Sequence, residues 1–219
     1  MTAPLLVLPS PLDIFYQDVS DDFCRALMRI VFKGYRKAGE HSEEYFAPQE
    51  AHDMRPLLRR SFIDQDIRRA AREFPSAVAT AVLNCASNCY HTEVRFPRVV
   101  LTFSAVEGPE TPVRDAQFRL AYANEYQLPM APINELGSTL PTEGAVYALA
   151  IHGPNPRQRG LPGFMHVVFP RPDCAEYSAR IDLFKKYPEV PVEFGVAELT
   201  GIPAAYLRRH GQANERLGE

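Results

Sequence analysis

Residues 93–106 read EVRFPRVVLTFSAV, and this stretch decides the fold class of the chain. Valine, leucine and phenylalanine crowd it, and β-branched and aromatic residues are typical of strands. Pro97 has no amide hydrogen to give to a neighbouring strand, so a strand that contains it lies at a sheet edge or bends there. The stretch therefore predicts a strand over 93–106, bent or at an edge.

The residues before this stretch have a helical pattern. Ser20 is a suitable N-cap, and Asp21 and Asp22 place negative charge at the positive end of a helix. The apolar residues that follow share one helical face: Phe23, Leu27, Ile30 and Val31. We predict an amphipathic helix over 21–37, followed by an irregular segment from Gly39 to Pro48.

Two more helices are predicted between this segment and the first strand. Ser61 and Asp64 stand at capping-box spacing, which predicts a helix over 62–73. Pro75 interrupts it, and Ser76 is a candidate N-cap for a helix over 77–89.

Strand patterns return in the second half of the chain. The apolar runs 145–151 and 164–169 predict a β-hairpin with a long connecting loop. Residues 115–127 and 175–186 are ambiguous between helix and strand, and we favour helix for both. Prolines and a glycine in 129–141 indicate a loop.

These patterns together predict the α+β class: a helical N-terminal part packed with a mainly antiparallel sheet formed after residue 91. The chain of 219 residues is 46% hydrophobic, and its length suits a single domain over 1–219. The net charge of −3 argues against broad electrostatic binding to nucleic acid or membranes and permits only a focal anion site. We expect no membrane partner and a cytoplasmic location, because the N-terminus lacks a signal pattern and no apolar run reaches about 20 residues.

The segment 196–210 reads VAELTGIPAAYLRRH and resembles the core of a helix-turn-helix DNA-binding motif. The resemblance rests on Ala197 at the helix crossing, Gly201 in the turn, and the apolar Ile202 and Leu207. It implies that the second helix meets nucleic acid through these residues: Ala204, Ala205, Tyr206, Arg208 and Arg209. The alternative interpretation is a strand over 192–199, a glycine turn and a short terminal helix.

Arginines are frequent between residues 55 and 72. Arg68 and Arg72 lie one helical turn apart and are candidates for an anion-binding face. Acids are interspersed among them, so the alternative is a solvated helix face that pairs with itself.

Cys85, Cys89 and His91 lie within seven residues and form a candidate zinc site with Cys174. Their spacing is not that of a zinc finger or ribbon, and the two cysteines continue an apolar stripe. We therefore expect reduced, buried thiols, with no metal and no cofactor.

His152 and His166 flank the loop of the predicted hairpin. If the strands bring the imidazoles together, they form a candidate catalytic pair, with Arg157 and Arg159 as an anion-binding pair. The sequence has no phosphate-binding glycine loop, nucleophile elbow or zinc-protease motif.

The leading functional hypothesis is a nonenzymatic regulatory or accessory protein that binds DNA or RNA. One alternative is a phosphoesterase or nuclease that uses His152 and His166. Another is a protein-interaction module of a larger assembly. The sequence leaves open whether the chain is an enzyme and which oligomeric state it has.

Overall fold

The computed structural model describes residues 9–84, 89–126 and 145–196. Three helices come first in the described chain, and the strands and the remaining helices follow from Val78 onwards. The helices are α1 (Pro11–Asp18), α2 (Asp21–Tyr45), α3 (Pro48–Ala70), α4 (Gln117–Glu125), α5 (Leu183–Lys186) and α6 (Glu189–Glu193). The strands are β1 (Val78–Leu83), β2 (Tyr90–Arg95), β3 (Val99–Ala105), β4 (Val146–Pro154), β5 (Pro162–Pro170) and β6 (Tyr177–Asp182).

The strands form one six-stranded sheet in the order β1-β2-β3-β4-β5-β6. Neighbouring strands are antiparallel except β3 and β4, which are parallel and are joined by the connection that contains α4. Helices in the N-terminal part and a mainly antiparallel sheet confirm the predicted α+β class.

The sheet lies between two apolar clusters. Side chains alternate between the two faces of a strand, so Leu101 and Ala148 pack towards α1, α2 and α3. Val100 and Leu149 point to the opposite face, which packs with Ala123 of α4. The sheet is therefore covered on both sides, with the larger helical layer on the first.

The N-terminal helices begin and end differently from the prediction, except at Ser20. The Ser20 hydroxyl accepts a hydrogen bond from the Phe23 amide at 3.1 Å, which confirms the predicted helix start. The helix continues to Tyr45, so the expected irregular segment from Gly39 is wrong over most of its length. The predicted start at Ser61 is also wrong, because α3 begins at Pro48, a residue suited to the first helical turn.

The predicted helix over 77–89 is wrong, because strand β1 forms over Val78–Leu83. The sheet thus begins at Val78 and not after residue 91. The pattern was misleading because a spacing of four residues, as between Val78 and Val82, also keeps side chains on one face of a strand.

Two further predictions need correction. The single strand over 93–106 is in fact the end of β2, a turn at Pro97 and β3, with the Phe96 amide bonded to the Val99 carbonyl at 2.8 Å. The helix expected over 175–186 is mainly β6, whose Ala179 and Ile181 alternate onto the core, and only α5 is helical.

The hairpin of β4 and β5 and the helix preferred within 115–127 are both confirmed. The loop predicted over 129–141 lies outside the described residues. Among the helices of 9–84, 89–126 and 145–196, none has the length and apolarity needed to cross a membrane.

Candidate functional site

A cleft of approximately 630 Å³ opens where the parallel strands β3 and β4 end. Its walls come from α3, the start of β2, the segment that follows β3, and α4. This volume falls in the range of small-molecule binding sites. The C-terminal ends of parallel strands lie at the same edge of a sheet. The segments that follow the strands diverge there, and a crevice forms between them.

His91 of β2 lines this cleft and is only 7% exposed. Its ring stacks on Phe118 of α4 with centroids 3.9 Å apart, yet neither ring nitrogen has a hydrogen-bond partner in the described part of the chain. A buried polar group left unpaired costs about 1–3 kcal/mol. Such a group in a native structure calls for an explanation, for example a bound water or a ligand.

The electrostatic surroundings of His91 favour its neutral form. Burial lowers the pKa of His91, Glu93 raises it, and the guanidinium groups of Arg119 and Arg60 lower it further. Two cations therefore lie near two unpaired ring nitrogens. This arrangement is suited to a negatively charged ligand.

Arg119 of α4 is held in place by two hydrogen bonds from its terminal nitrogens. One reaches the Arg114 carbonyl at 2.6 Å and the other the Ser104 hydroxyl at 3.2 Å. The buried Nε of Arg119 has no partner among the described residues, and burial lowers the pKa of the side chain. Arg119 thus resembles His91: each side chain has a buried nitrogen without a hydrogen-bond partner among the described residues.

Three other arginines line the cleft. Arg60 donates to the Tyr90 carbonyl and lies 3.7 Å from the Asp64 carboxylate. The guanidinium of Arg59 lies over the Tyr35 ring, 4.4 Å from its centroid. Within the described ranges, Arg59 and Arg114 have no carboxylate at ion-pair distance.

The acids in the cleft do not fully offset these charges. The carboxylates of the lining belong to Asp64, Glu107 and Asp115, against four arginines. Burial raises the pKa of Asp64, which shifts that group towards its neutral form, although Arg60 opposes the shift. The cleft is therefore cationic in a chain whose overall charge is −3.

Glu93 fixes the helix that carries Phe118 and Arg119 to the sheet. Its carboxylate is 2% exposed and accepts hydrogen bonds from Arg95 and from the Tyr122 hydroxyl of α4. Charge-assisted hydrogen bonds of this kind hold both partners in a defined geometry. The position of α4 over His91 therefore depends on the hydrogen bond from Tyr122 to a buried carboxylate.

His152 of β4 also reaches the cleft, but it has a partner in the protein. Its Nδ1 lies 3.1 Å from the Tyr35 hydroxyl of α2. Burial lowers the pKa of His152 to about 3, and Arg59 adds to the effect. The ring is therefore neutral at physiological pH and links β4 to the helical layer.

The two histidines of the predicted catalytic pair do not meet. In the β4 and β5 register His152 is opposite Met165 and His166 is opposite Ile151, so the imidazoles point to opposite faces of the sheet. Arg157 and Arg159 are exposed in the turn after β4 and do not line the cleft. The structure brings together His152 and other arginines instead.

The arginines between residues 55 and 72 divide into two groups. Arg55 pairs with Glu43 at 3.0 Å and Arg69 with Asp66 at 3.4 Å, as expected for a face that pairs with acids of the same chain. Arg59 and Arg60 instead line the cleft. Arg68 donates to the Thr92 hydroxyl at 2.6 Å and joins α3 to β2.

The candidate zinc ligands are not assembled in the described residues. Cys85 lies outside them, Cys89 accepts a hydrogen bond from Asn84 at 3.0 Å, and Cys174 contacts the Arg119 carbonyl at 3.7 Å. Across 9–84, 89–126 and 145–196, no group of three or more histidine, cysteine, aspartate or glutamate side chains is placed to hold a metal ion.

The predicted DNA-contacting residues, Ala204, Ala205, Tyr206, Arg208 and Arg209, lie outside the described residues. The alternative strand over 192–199 is wrong in its first part, because Val192 and Glu193 end α6 and residues 194–196 belong to no strand. The helix-turn-helix resemblance therefore stays a prediction.

Sequence reasoning did not select Arg114 or Arg119 and considered His91 only as a metal ligand. The three residues come from separate elements, and no spacing along the chain joins them. The one available signal was the aromatic residues of 115–127, which bear on the choice between helix and strand and do not indicate a ligand. Comparison of the chain with protein-family models, curated proteins and solved structures finds no match, so the chemistry of the cleft rests on its geometry alone.

Proposed function

We propose that this protein is a binding protein for a phosphate-bearing ligand of nucleotide size, and that the cleft between α3 and α4 is its binding site. The observation that carries the proposal is His91, which is 93% buried in the cleft wall and whose two ring nitrogens have no hydrogen-bond partner among the described residues. A ligand oxygen that accepts from this ring removes the cost of the unpaired donor.

Phosphate is the anion class that best suits the donors present. Arg119 and His91 supply buried N–H groups that have no partner among the described residues, and Arg114 adds positive charge to the cleft lining. Guanidinium groups recognise phosphate oxygens through planar, directed hydrogen bonds. Partial burial strengthens these bonds because water competes less.

The same chemistry connects this proposal with nucleic-acid binding. A nucleotide and a single strand of nucleic acid present the same phosphate group, and Tyr90, 61% exposed near Arg60, is an aromatic surface suited to stacking a base. We favour a free nucleotide because the cleft is the size of a small-molecule site. Binding through the cleft and any binding through 196–210 are separate proposals.

The test is isothermal titration of the purified chain with inorganic phosphate, a nucleoside monophosphate and a short single-stranded oligonucleotide. We expect the mononucleotide to bind, and Arg119→Gln and His91→Asn each to weaken binding about tenfold or more, since each loses a direct contact worth about 1.4 kcal/mol. Arg157→Gln is the matched control, because it removes an exposed arginine outside the cleft.

The outcomes separate the possible sources of phosphate. Tight binding of the oligonucleotide only, with a steep decrease in added salt, would point to a nucleic-acid strand as ligand. No binding of any of the three, or a loss caused by Arg157→Gln and not by Arg119→Gln, would contradict the cleft as the site. Turnover of a phosphoester by the wild type would instead support the enzyme alternative.

A further inference from the structure

Strand β1 forms one edge of the sheet that the described residues build. Within 9–84, 89–126 and 145–196 it pairs only with β2, and four of its six residues are exposed, among them Val78 at 61% and Leu83 at 43%. An edge strand presents a row of backbone donors and acceptors to whatever approaches it.

The register of β1 identifies which backbone groups are presented. The Asn84 amide donates to the Cys89 carbonyl at 2.9 Å, so residues 84 and 89 form a hydrogen-bonded pair. Antiparallel pairs alternate between bonded and unbonded, which directs Val82, Thr80 and Val78 towards β2. The N–H and C=O groups of Ala79, Ala81 and Leu83 therefore point away from the sheet.

The strand lacks the devices that usually block an exposed edge. Its sequence, VATAVL, contains no charged residue and no proline. At the opposite edge β6 carries Arg180 and Asp182, and its pairing with β5 is interrupted by an irregularity between Phe169 and Pro170. Charges and bulges discourage pairing between sheets, so of the two sheet edges in the described part of the chain, β1 is the one suited to such pairing.

We propose that β1 pairs with β1 of a second copy of this chain, antiparallel and about a twofold axis at Ala81. In this register Ala81 is opposite its own copy and Ala79 is opposite Leu83 of the other copy. All three outward-facing residues of each strand then pair with outward-facing residues. The two sheets join into one continuous sheet of twelve strands.

The composition of β1 favours pairing with a second copy over pairing with a charged peptide. In a twofold arrangement every side chain meets a residue of the same strand, and an uncharged strand meets no like charge. The register also places the large Leu83 beside the small Ala79, and Thr80 beside Val82. A neutral, apolar strand edge can therefore pair with the same edge of a second copy without placing like charges opposite each other.

The test is sedimentation velocity over a range of protein concentrations. We expect the wild type to form a dimer, and Ala81→Lys to raise the dissociation constant about tenfold or more, because two ammonium groups then meet at the axis. Ala175→Lys, which adds the same charge at an exposed site away from β1, should leave the dimer intact. A wild type that stays monomeric throughout, or an Ala81→Lys variant that dimerises as well as the wild type, would overturn the proposal.

Amide hydrogen exchange of the wild type gives a readout that needs no variant. The amides of Ala79, Ala81 and Leu83 should exchange more slowly as the concentration rises, whereas those of Thr80 and Val82 are bonded to β2 and should be protected throughout. Equal, concentration-independent exchange of the outward amides would contradict pairing through this edge. The result does not depend on whether the cleft binds phosphate.

Discussion

His91 and His152 show how the surroundings of one residue type set its contribution. Both are more than nine-tenths buried and both line the cleft. His152 accepts or donates a hydrogen bond with Tyr35, whereas His91 has no partner at either nitrogen in the described part of the chain. His152 therefore supports the fold, whereas His91 is the histidine on which the proposed binding site depends.

The pKa of His152 predicts that stability falls as the pH is lowered from 7 towards 5. Burial holds this pKa at about 3, whereas an unfolded histidine titrates near 6.5. Below about pH 6.5 the unfolded chain therefore takes up a proton that the folded chain does not, and by pH 5.5 this costs about 1.4 kcal/mol. Urea unfolding of the wild type and of His152→Asn at pH 7.5 and 5.5 measures the effect.

The variant should lose less stability between the two pH values than the wild type, even if it is less stable at both. His91 and His166 also have lowered pKa values and stay in both proteins, so their contribution cancels in the comparison. Equal losses in the two proteins would show that His152 does not contribute to the pH dependence.

Helices α2 and α3 pack closely at Gly34. A Cβ added to Gly34 would lie 2.4 Å from Cγ1 of Ile63, so the two helices approach there only because the side chain is absent. Gly39, in the same helix, has open space at the corresponding position. The contact holds α3, and with it Arg59 and Arg60, against α2.

We expect Gly34→Ala to destabilise the protein and Gly39→Ala to stabilise it. Overpacking costs about 1–3 kcal/mol, which outweighs the gain of about 1 kcal/mol that alanine brings to a helix interior. Gly39→Ala should show only the gain in helix propensity, because its new Cβ meets no other atom within 4 Å. Chemical denaturation of both variants measures the difference, and a Gly34→Ala variant as stable as Gly39→Ala would show that the helices separate without cost.

At the scale of the whole molecule, α6 joins the end of the described chain to its beginning. Arg25 lies 2.8 Å from Glu189 and Arg29 lies 2.7 Å from Glu193, so two ion pairs one helical turn apart set α6 along α2. Phe194 stacks on the buried Phe32 with ring centroids 4.6 Å apart. The end of the described chain at Val196 is therefore anchored to α2.

We expect the aromatic contact to contribute more to this anchor than the ion pairs. Glu193→Gln should cost under about 1 kcal/mol, because partly exposed ion pairs are weak. Phe194→Ala should cost about 2 kcal/mol or more, because it removes a half-buried ring from the core. Thermal unfolding of both variants ranks the two contacts by their contribution to stability. A greater loss of stability in Glu193→Gln than in Phe194→Ala would contradict this prediction.

The sequence by itself determined the class of the fold, the start of α2, the helix at α4 and the hairpin of β4 and β5. Each depends on local signals such as a cap or a run of β-branched residues. Only the tertiary structure decided that residues 78–83 and 177–182 are strands, because strand pairing depends on partners distant in the chain. The cleft was likewise invisible in the sequence: His91, Arg60 and Arg119 come from β2, α3 and α4, and only the packing of the two layers on one sheet brings their charges together.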